Sequence, residues 1–133
     1  ERLKPLLSCI DVLICNEEEF IELNGSLDFS RVHDLGVDTV VVTLGAQGAM
    51  VSRDRVIRAR ARPTNVVETT GAGDSFGATF ADALMRDLPL DRALDRALTM
   101  SASVISFMGP KNGILTATEL DRVMAQLPPL VIE

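Results

Sequence analysis

The strongest constraint on the fold is the apolar run at residues 38–45, Asp-Thr-Val-Val-Val-Thr-Leu-Gly. Its three consecutive valines lack the alternation of apolar and polar side chains that marks a strand with one wet face. A strand covered on both faces is typical of a parallel sheet with helices on each side. The run therefore predicts an α/β protein, and the shorter run at residues 11–15 predicts a second buried strand.

Helical spacing and capping signals alternate with these strands. Asn16 is suited to cap a helix that Gly25 ends, and the acidic residues that follow Asn16 suit the positive end of that helix. Residues 55–61 alternate between polar and apolar side chains, which predicts one strand of an edge hairpin. In chain order the sequence predicts strand 11–15, a helix after Asn16, helix 30–35, strand 38–45, hairpin strands 49–52 and 55–61, a helix that ends near residue 87, and helices 90–107 and 116–126.

Length and charge narrow the class of protein. The 133 residues, 47% hydrophobic and 24% charged, suit a single α/β domain over residues 1–133. The formal net charge is −6, and the chain has no Trp, no Tyr and five Phe. Nucleic-acid binding favours a basic face and stacking rings, so we expect no nucleic-acid partner. No apolar run is long enough to span a bilayer, so we expect no membrane partner.

The two cysteines point to a compartment. Cys9 and Cys15 lie in apolar sequence without the CxxC spacing of metal or redox sites. They predict buried, reduced thiols in a cytoplasmic protein.

The most informative segment is rich in glycine, because residues 69–77 read Thr-Thr-Gly-Ala-Gly-Asp-Ser-Phe-Gly. Small residues let a phosphate approach the backbone, and the amides of Ala72, Gly73 and Asp74 would lie at a helix N-terminus that attracts anions. A carboxylate there repels phosphate, but Asp74 has a role if it accepts a proton from a hydroxyl that attacks phosphorus. An ordinary turn with Asp74 as helix cap explains the segment equally well.

Two better-known glycine-rich loops do not match this segment. A P-loop needs a Lys after its last Gly, and a dinucleotide fingerprint needs a third Gly where Phe76 stands. A dinucleotide-dependent oxidoreductase is therefore a distant alternative.

Polar residues and glycines follow both predicted strands, where α/β sheets bind ligands. Asn16 and Glu19 could orient waters around a Mg²⁺ that carries nucleotide phosphates, because Mg²⁺ keeps several of its waters. Thr43 supplies a hydroxyl, and Gly45 and Gly48 leave room for a ribose or a phosphate. Taken one motif at a time, an acidic helix start and a tight turn are the simpler explanations.

The single histidine and a group of arginines are predicted to lie on the surface. The single histidine, His33, lies in a polar stretch. A basic band on the hairpin predicts a solvated face rather than a phosphate clamp. It consists of Arg53, Arg55, Arg58, Arg60 and Arg62.

In this order, the three motifs resemble the C-terminal half of a ribokinase-like (phosphofructokinase-B type) carbohydrate kinase. The resemblance spans residues 11–120, and residues 68–76 closely match the second signature of the family. It implies the C-terminal part of a Rossmann-type three-layer sandwich, with a mostly parallel sheet and an edge β-hairpin. It also implies transfer of the γ-phosphate of ATP to a primary hydroxyl of a sugar, or alternatively of a nucleoside.

The resemblance also implies a role for each site residue. Asp74 would take the hydroxyl proton, and Asn16 and Glu19 would support Mg²⁺ and the phosphates. Adenine would lie near the start of helix 90–107 and the loop after Gly109. The anion hole would consist of the amides of Gly71, Ala72 and Gly73. The nucleotide site would include Thr43, Gly45, Gly48, Gly73 and Asp74.

The resemblance extends to a monovalent cation, such as K⁺, beside the anion hole. Glu68 stands where the family usually has Asp, and it offers an oxygen on a longer arm. Gly109 matches a position whose carbonyl serves that cation site. Pro110, Lys111 and Asn112 depart from the commonest pattern of the family.

The N-terminal half of the family, with its sugar-binding residues, Gly-Gly signature and lid, has no counterpart in this sequence. We therefore expect the nucleotide-binding C-terminal portion of a longer kinase, inactive alone, and Glu1 in place of an initial Met agrees with this. Its expected partners are a sugar, ATP and the missing N-terminal half of the same protein, and a homodimer is left open. A non-catalytic nucleotide-binding module is the alternative from another class.

Overall fold

The structure is a computed structural model that describes residues 4–133. Glu1, on which the expectation of a longer protein partly rests, lies outside the described residues. The chain divides into two compact units, Glu1–Arg58 and Ala59–Glu133. The described elements up to the boundary are α1 (Lys4–Leu7), β1 (Val12–Asn16), α2 (Glu17–Asn24), α3 (Ser30–Asp34), β2 (Thr39–Thr43), β3 (Ala49–Ser52) and β4 (Val56–Ala59). Those after it are α4 (Ala72–Met85), α5 (Leu90–Ile105) and α6 (Ala117–Gln126).

The four strands form one sheet in the order β1-β2-β3-β4. β1 and β2 run parallel, whereas β2 and β3 run antiparallel, so the sheet is mixed. The valines of β2, Val40–Val42, are fully buried, as their missing alternation predicts. The prediction that β1 is buried is wrong, because its side chains are only half-buried.

Helix α2 packs against β1 and β2, and helix α3 packs against β2. Phe20 and Phe29, whose ring centroids lie 5.3 Å apart, share an apolar cluster with Val40 and Val42 of β2. The predicted stop at Gly25 is confirmed, with Gly25 in the left-handed conformation after α2. Helix α1 was outside every sequence prediction, because four residues are too few to show a helical period.

Two side-chain predictions in the first unit are wrong. His33 is half-buried, with Nδ1 2.8 Å from the Val37 carbonyl oxygen and Nε2 2.8 Å from the Ser52 hydroxyl oxygen. Cys9 is exposed rather than buried, although both cysteines are free as predicted. Cys15 is half-buried. Burial, with a smaller contribution from the Glu19 carboxylate, raises the pKa of its thiol to about 11.

β4 is the last strand of the sheet, and the predicted edge hairpin is confirmed. Its buried residues, Ile57 and Ala59, alternate with more exposed ones, as the sequence predicts. Residues near the C-terminus pair with the end of this strand. Ala59 forms an antiparallel bridge with Ile132, and the Arg60 amide donates to the Val131 carbonyl over 3.2 Å. This pairing leaves less of the edge open to association with other chains.

The second unit is built around helix α5, which packs against α4 and α6. All residues of α5 from Ala93 to Met100 are buried. Two helical turns contain every direction around the axis, so this part of α5 has no side that faces solvent.

None of the helices in residues 4–133 is long and apolar enough to cross a membrane.

Burial of α5 takes two charges out of water, and each has an ion-pair partner. Asp95 pairs with Arg62, and Arg96 pairs with Asp121. The side chains of Arg62, Asp95 and Arg96 are 10% exposed or less. The predicted solvated face is therefore wrong for Arg62, whereas Arg60 is exposed and pairs with Glu133.

We expect Arg62→Met to lower the free energy of unfolding by about 3–5 kcal/mol, because the buried Asp95 carboxylate then keeps only the 4.0 Å contact with the exposed Arg92 as an ion pair. The matched control is Arg53→Met, which breaks the more exposed pair of Arg53 with Asp38 and a hydrogen bond to the Thr39 hydroxyl. It should cost about 1–2 kcal/mol. Chemical denaturation measures both losses. Replacing Arg62 by Met and Asp95 by Leu together should recover most of the stability, since the buried Nε of Arg62 has no hydrogen-bond partner in the described structure. Equal losses in Arg62→Met and Arg53→Met would contradict the buried pair.

A capping box starts α6, and the Thr-x-x-Glu spacing of Thr116 and Glu119 is the local sequence signal for it. The Thr116 amide donates to Glu119 Oε2 over 2.7 Å, and the Glu119 amide donates to Thr116 Oγ1 over 3.3 Å. The Thr116 amide and hydroxyl hold the pKa of the Glu119 carboxyl below its ordinary value of 4.5, and Arg122 contributes in the same direction.

The box should make part of the stability dependent on pH. Because the folded pKa of Glu119 lies below its unfolded value, the charged box stabilises the fold fully above pH 4.5 and is lost as pH falls through the folded pKa. We expect Glu119→Gln to lower the melting temperature at neutral pH, and the gap to wild type to close on acidification. The control Glu22→Gln removes a carboxylate outside both capping boxes and should show no such convergence. Melting curves across the pH range would refute the role of Glu119 if the gap stayed constant.

Candidate active site

Asn16 and Thr43 lie opposite each other at the carboxyl ends of the parallel strands β1 and β2. The register of the two strands thus brings together two predicted site residues. This edge is where α/β sheets bind ligands. Asn16 is exposed there, and Thr43 is half-buried.

A second capping box joins Asn16 and Glu19. Asn16 Oδ1 accepts the Glu19 amide over 2.8 Å, and Glu19 Oε2 accepts the Asn16 amide over 2.9 Å. Both residues are exposed, and a carboxylate has about four acceptor positions, so the box leaves acceptors for water. These two residues fit a Mg²⁺ that keeps most of its waters. Within residues 4–133, no cluster of three or more His, Cys, Asp or Glu could hold a metal ion by itself.

A single 3₁₀ turn, Gly45–Gln47, follows β2. Gly45 is its first residue, and Gly48 comes directly after it. The Leu44 amide donates to the Gly48 carbonyl over 2.8 Å and closes the turn. Gly45 is exposed and Gly48 is buried. The turn therefore presents mostly backbone close to Thr43, with little side chain to block a ligand.

In the second unit, the glycine-rich segment forms the turn that starts α4. Gly71 caps the helix in the left-handed conformation (φ 84°), and Ala72, Gly73 and Asp74 begin the first turn. Amides of a first turn have no acceptor within their own helix. The Ala72 amide donates instead to the Thr69 carbonyl over 3.2 Å. The amides of Gly73 and Asp74 are therefore better suited to an anion than that of Ala72.

The loop after Gly109 packs against this turn. A Cβ on Gly71 would lie 3.0 Å from the Cβ of Pro110 and 3.1 Å from its carbonyl oxygen. At the other end of the loop, a Cβ on Gly113 would lie 2.6 Å from the Ser103 carbonyl oxygen of α5. Both glycines have a positive φ, so a side chain would also strain their backbone. The missing side chains let the loop approach the turn and α5 closely.

A cavity of about 260 Å³ opens beside the turn. Its lining includes Gly71, Asp74, Ser75, Thr79, Met100 and Pro110. The Ser75 and Thr79 hydroxyls donate to carbonyls of their own helix, at 3.0 and 2.7 Å. Asp74, which is exposed, is the carboxylate of this lining. A neutral hydroxyl-bearing molecule in the cavity would thus meet one base.

Glu68 and Gly109, the residues predicted for a monovalent cation, contact each other. The Gly109 amide donates to Glu68 Oε2 over 2.7 Å. This bond, together with a hydrogen bond from the Thr70 side chain, holds the pKa of the Glu68 carboxyl below its ordinary value. The backbone of the same segment is tied to α5, because the Val67 and Glu68 amides both donate to the Ile105 carbonyl.

Some residues of the site lay outside sequence reasoning. Met100 lines the cavity from the middle of α5. Ser75 and Thr79 are four residues apart and share a face of the predicted helix, and that spacing was a signal for them. Nothing in the sequence marks Met100, because a Met in an apolar helix predicts only core packing.

A family model described as pfkB family carbohydrate kinase matches residues 1–117. The chain belongs to the pfkB family of carbohydrate kinases. Within this family it is similar to the ribokinase of Haemophilus influenzae, with 33% identity over 126 residues, 86% of this chain and 40% of the relative. It is also similar to the nucleoside kinase of Methanothermobacter thermautotrophicus, with 29% identity over 115 residues, 85% of this chain and 37% of the relative.

A solved member of the family has the same fold. The structure of Arabidopsis thaliana ribokinase complexed with ribose and ATP matches with a TM-score of 0.85 and 28% identity, over 94% of this chain and 44% of that one. The expected ribokinase-like α/β fold is therefore confirmed. This pfkB-family chain spans only about 40% of the length of the relatives it matches.

Two glycines of the same turn should respond differently to alanine. We expect Gly71→Ala to destabilise the protein by about 2 kcal/mol or more, because its φ is left-handed and its Cβ would press on Pro110. Gly73→Ala is the matched control, since a Cβ there meets nothing within 4 Å in an ordinary helical position. It should leave stability unchanged or raise it by about 0.5–1 kcal/mol. Chemical denaturation compares the two, and equal losses would show that the contact with Pro110 does not constrain the turn.

Proposed function

We propose that the protein phosphorylates a primary hydroxyl of a sugar at the expense of ATP, and that this chain supplies the nucleotide site, the anion hole and the catalytic base. The observation that carries the proposal is the exposed Asp74 carboxylate in the first turn of α4, next to a cavity and to amides without helical acceptors. A base and an anion-binding turn on one helix end are what phosphoryl transfer to an alcohol requires. The similarity to ribokinase supports a sugar as the acceptor.

The chemistry follows from the charges at this turn. The acceptor hydroxyl lies against Asp74 and gives its proton to the carboxylate while its oxygen bonds to the γ-phosphorus. The bond between that phosphorus and the β–γ bridging oxygen breaks, and ADP leaves with the electron pair. The amides of Gly71, Ala72 and Gly73 are proposed to face the transferring phosphoryl group, with the strongest contribution from Gly73. Because these donors belong to a fixed turn, they need little reorganisation during the reaction.

The nucleotide is proposed to lie against the carboxyl ends of β1 and β2. Thr43 would donate its hydroxyl there, and Gly45 and Gly48 would let the backbone approach a phosphate or the ribose. Asn16 and Glu19 would hold Mg²⁺ through its waters, and the ion would neutralise phosphate charge. We do not assign K⁺ to Glu68 and Gly109, since these residues bind each other.

A nucleoside is the second candidate acceptor. The observation in its favour is the 29% identity to a nucleoside kinase, which is close to the identity with ribokinase. The lining of the cavity beside Asp74 does not discriminate, because its neutral groups suit the hydroxyl of either molecule. Initial rates with a panel of pentoses, hexoses, sugar phosphates and nucleosides decide between the two.

We also propose that this chain works as the C-terminal portion of a longer kinase. The support is that the relatives extend well beyond the matched part. Residues from another part of the complete protein would then grip the acceptor sugar. The 133-residue chain should show no turnover by itself, and rapid turnover by the purified chain would refute this. A non-catalytic nucleotide-binding module would bind ATP without turnover in the complete protein as well.

The catalytic role of Asp74 is testable in the complete protein that contains this chain. We expect Asp74→Asn to lower kcat by about 10²–10⁴-fold, because the amide cannot accept the proton, with little change in the KM for ATP. Asp82→Asn is the matched control, since it makes the same charge change two turns further along α4, where Asp82 pairs with Arg86. A coupled assay of ADP release measures both. A rate for Asp74→Asn close to that of the control would refute the assignment.

A further inference from the structure

Glu68 and the loop at residues 108–113 are joined by a hydrogen bond between residues 41 positions apart in the sequence. Glu68 precedes Gly71 by three residues, and the backbone of Gly71 packs against Pro110 of the same loop. The turn that carries the anion-hole amides therefore touches this loop through two contacts, one polar and one steric. Movement of the loop would move the turn.

The polar groups around this contact favour a direct hydrogen bond over a monovalent cation. Such an ion replaces its waters with several oxygen ligands, among them backbone carbonyls. The Glu68 carboxylate instead accepts two hydrogens, from the Gly109 amide and the Thr70 side chain. The Met108 carbonyl already accepts the Asn112 side-chain amide over 2.6 Å. The Gly109 amide carries partial positive charge and points at the oxygen that a cation would need.

The length of the side chain explains why Glu68 reaches the amide. Glu has one methylene more than Asp, so its carboxylate extends further from the backbone towards Gly109. A charged acceptor and a backbone N–H form a hydrogen bond stronger than one between neutral groups. The backbone of Glu68 is fixed as well, through its amide bond to the Ile105 carbonyl over 3.2 Å. The carboxylate is therefore a fixed anchor for the loop.

We propose that Glu68 is a positioning residue that ties the anion-hole turn directly to the Gly109 loop, and that this bond replaces the monovalent cation which the family resemblance implies. The inference rests on the proposed kinase function for its catalytic part. Glu68 does not touch the reacting groups. It acts by holding Gly71, Ala72 and Gly73 where a phosphoryl group can bind.

The first test measures dependence on K⁺ in the complete protein, with choline chloride as the control at equal ionic strength. We expect the initial rate and the melting temperature to be the same in both salts. A higher rate or a higher melting temperature in KCl, absent in choline chloride, would overturn the proposal. The melting measurement needs no activity, so it decides the question even if the kinase proposal fails.

The second test compares Glu68→Gln with Glu68→Ala. A Gln side chain can still accept the Gly109 amide, but it lacks the charge that a cation site needs. We expect Glu68→Ala to lower kcat by about tenfold or more, because it removes one charge-assisted hydrogen bond. The effect on the KM for ATP should be smaller. Glu68→Gln should restore part of that rate and part of any lost melting temperature, because its neutral oxygen still accepts the Gly109 amide in a weaker hydrogen bond.

The two variants distinguish a direct hydrogen bond between Glu68 and Gly109 from a cation bound by Glu68. If Glu68 binds a cation, Glu68→Gln should be as impaired as Glu68→Ala, and that outcome would overturn the proposal. If Glu68→Ala fails to fold, the comparison of wild type in KCl and in choline chloride still decides, because it needs no variant. If the complete wild-type protein phosphorylates none of the acceptors tested, that result would instead count against the proposed function.

Discussion

The second unit depends on the burial of charge in helix α5. Asp95 and Arg96 are adjacent and lie in a stretch of the helix without an exposed side, so both charges are out of water. Desolvation of a charge costs several kcal/mol unless a partner compensates it. Arg62 provides the partner for Asp95 from the segment before the glycine-rich turn, and Asp121 provides it for Arg96 from α6. The core of the unit thus determines which segments must lie beside α5.

The candidate active site follows from this arrangement. With Arg62 held against Asp95, the chain continues along α5, where Thr64 donates to the Ala102 carbonyl over 3.2 Å. The Val67 amide then reaches the Ile105 carbonyl near the end of the helix. A few residues later the chain enters the turn at Gly71. The buried Arg62–Asp95 pair thereby fixes the start of the segment that ends in Asp74.

Much of this protein was predictable from local sequence. The capping boxes at Asn16 and Thr116 depend on residues three positions apart, and the buried strand β2 depends on consecutive valines. The family and the glycine-rich turn were equally evident, because the motif is contiguous. Contacts between distant residues were not predictable. Arg62 and Asp95 lie 33 positions apart, and His33 and Ser52 lie 19 apart.

The errors have the same physical origin. Cys9 has apolar neighbours in sequence but is exposed, because sequence neighbours do not report which side of the chain meets the core. Arg62 belongs to the basic band in sequence, yet its side chain is buried in an ion pair with Asp95. In each case the outcome depends on tertiary packing, which one sequence shows only where the periodicity is strong.

Ala93 and Ala97 of α5 are fully buried, and so is Leu94 between them. In a survey of all single substitutions, this helix should therefore reject larger residues around its whole circumference. Helix α6 should differ, because Leu120 is the buried residue among its ten. Sequence variation among close orthologues should then accumulate on α6 and remain rare in the middle of α5.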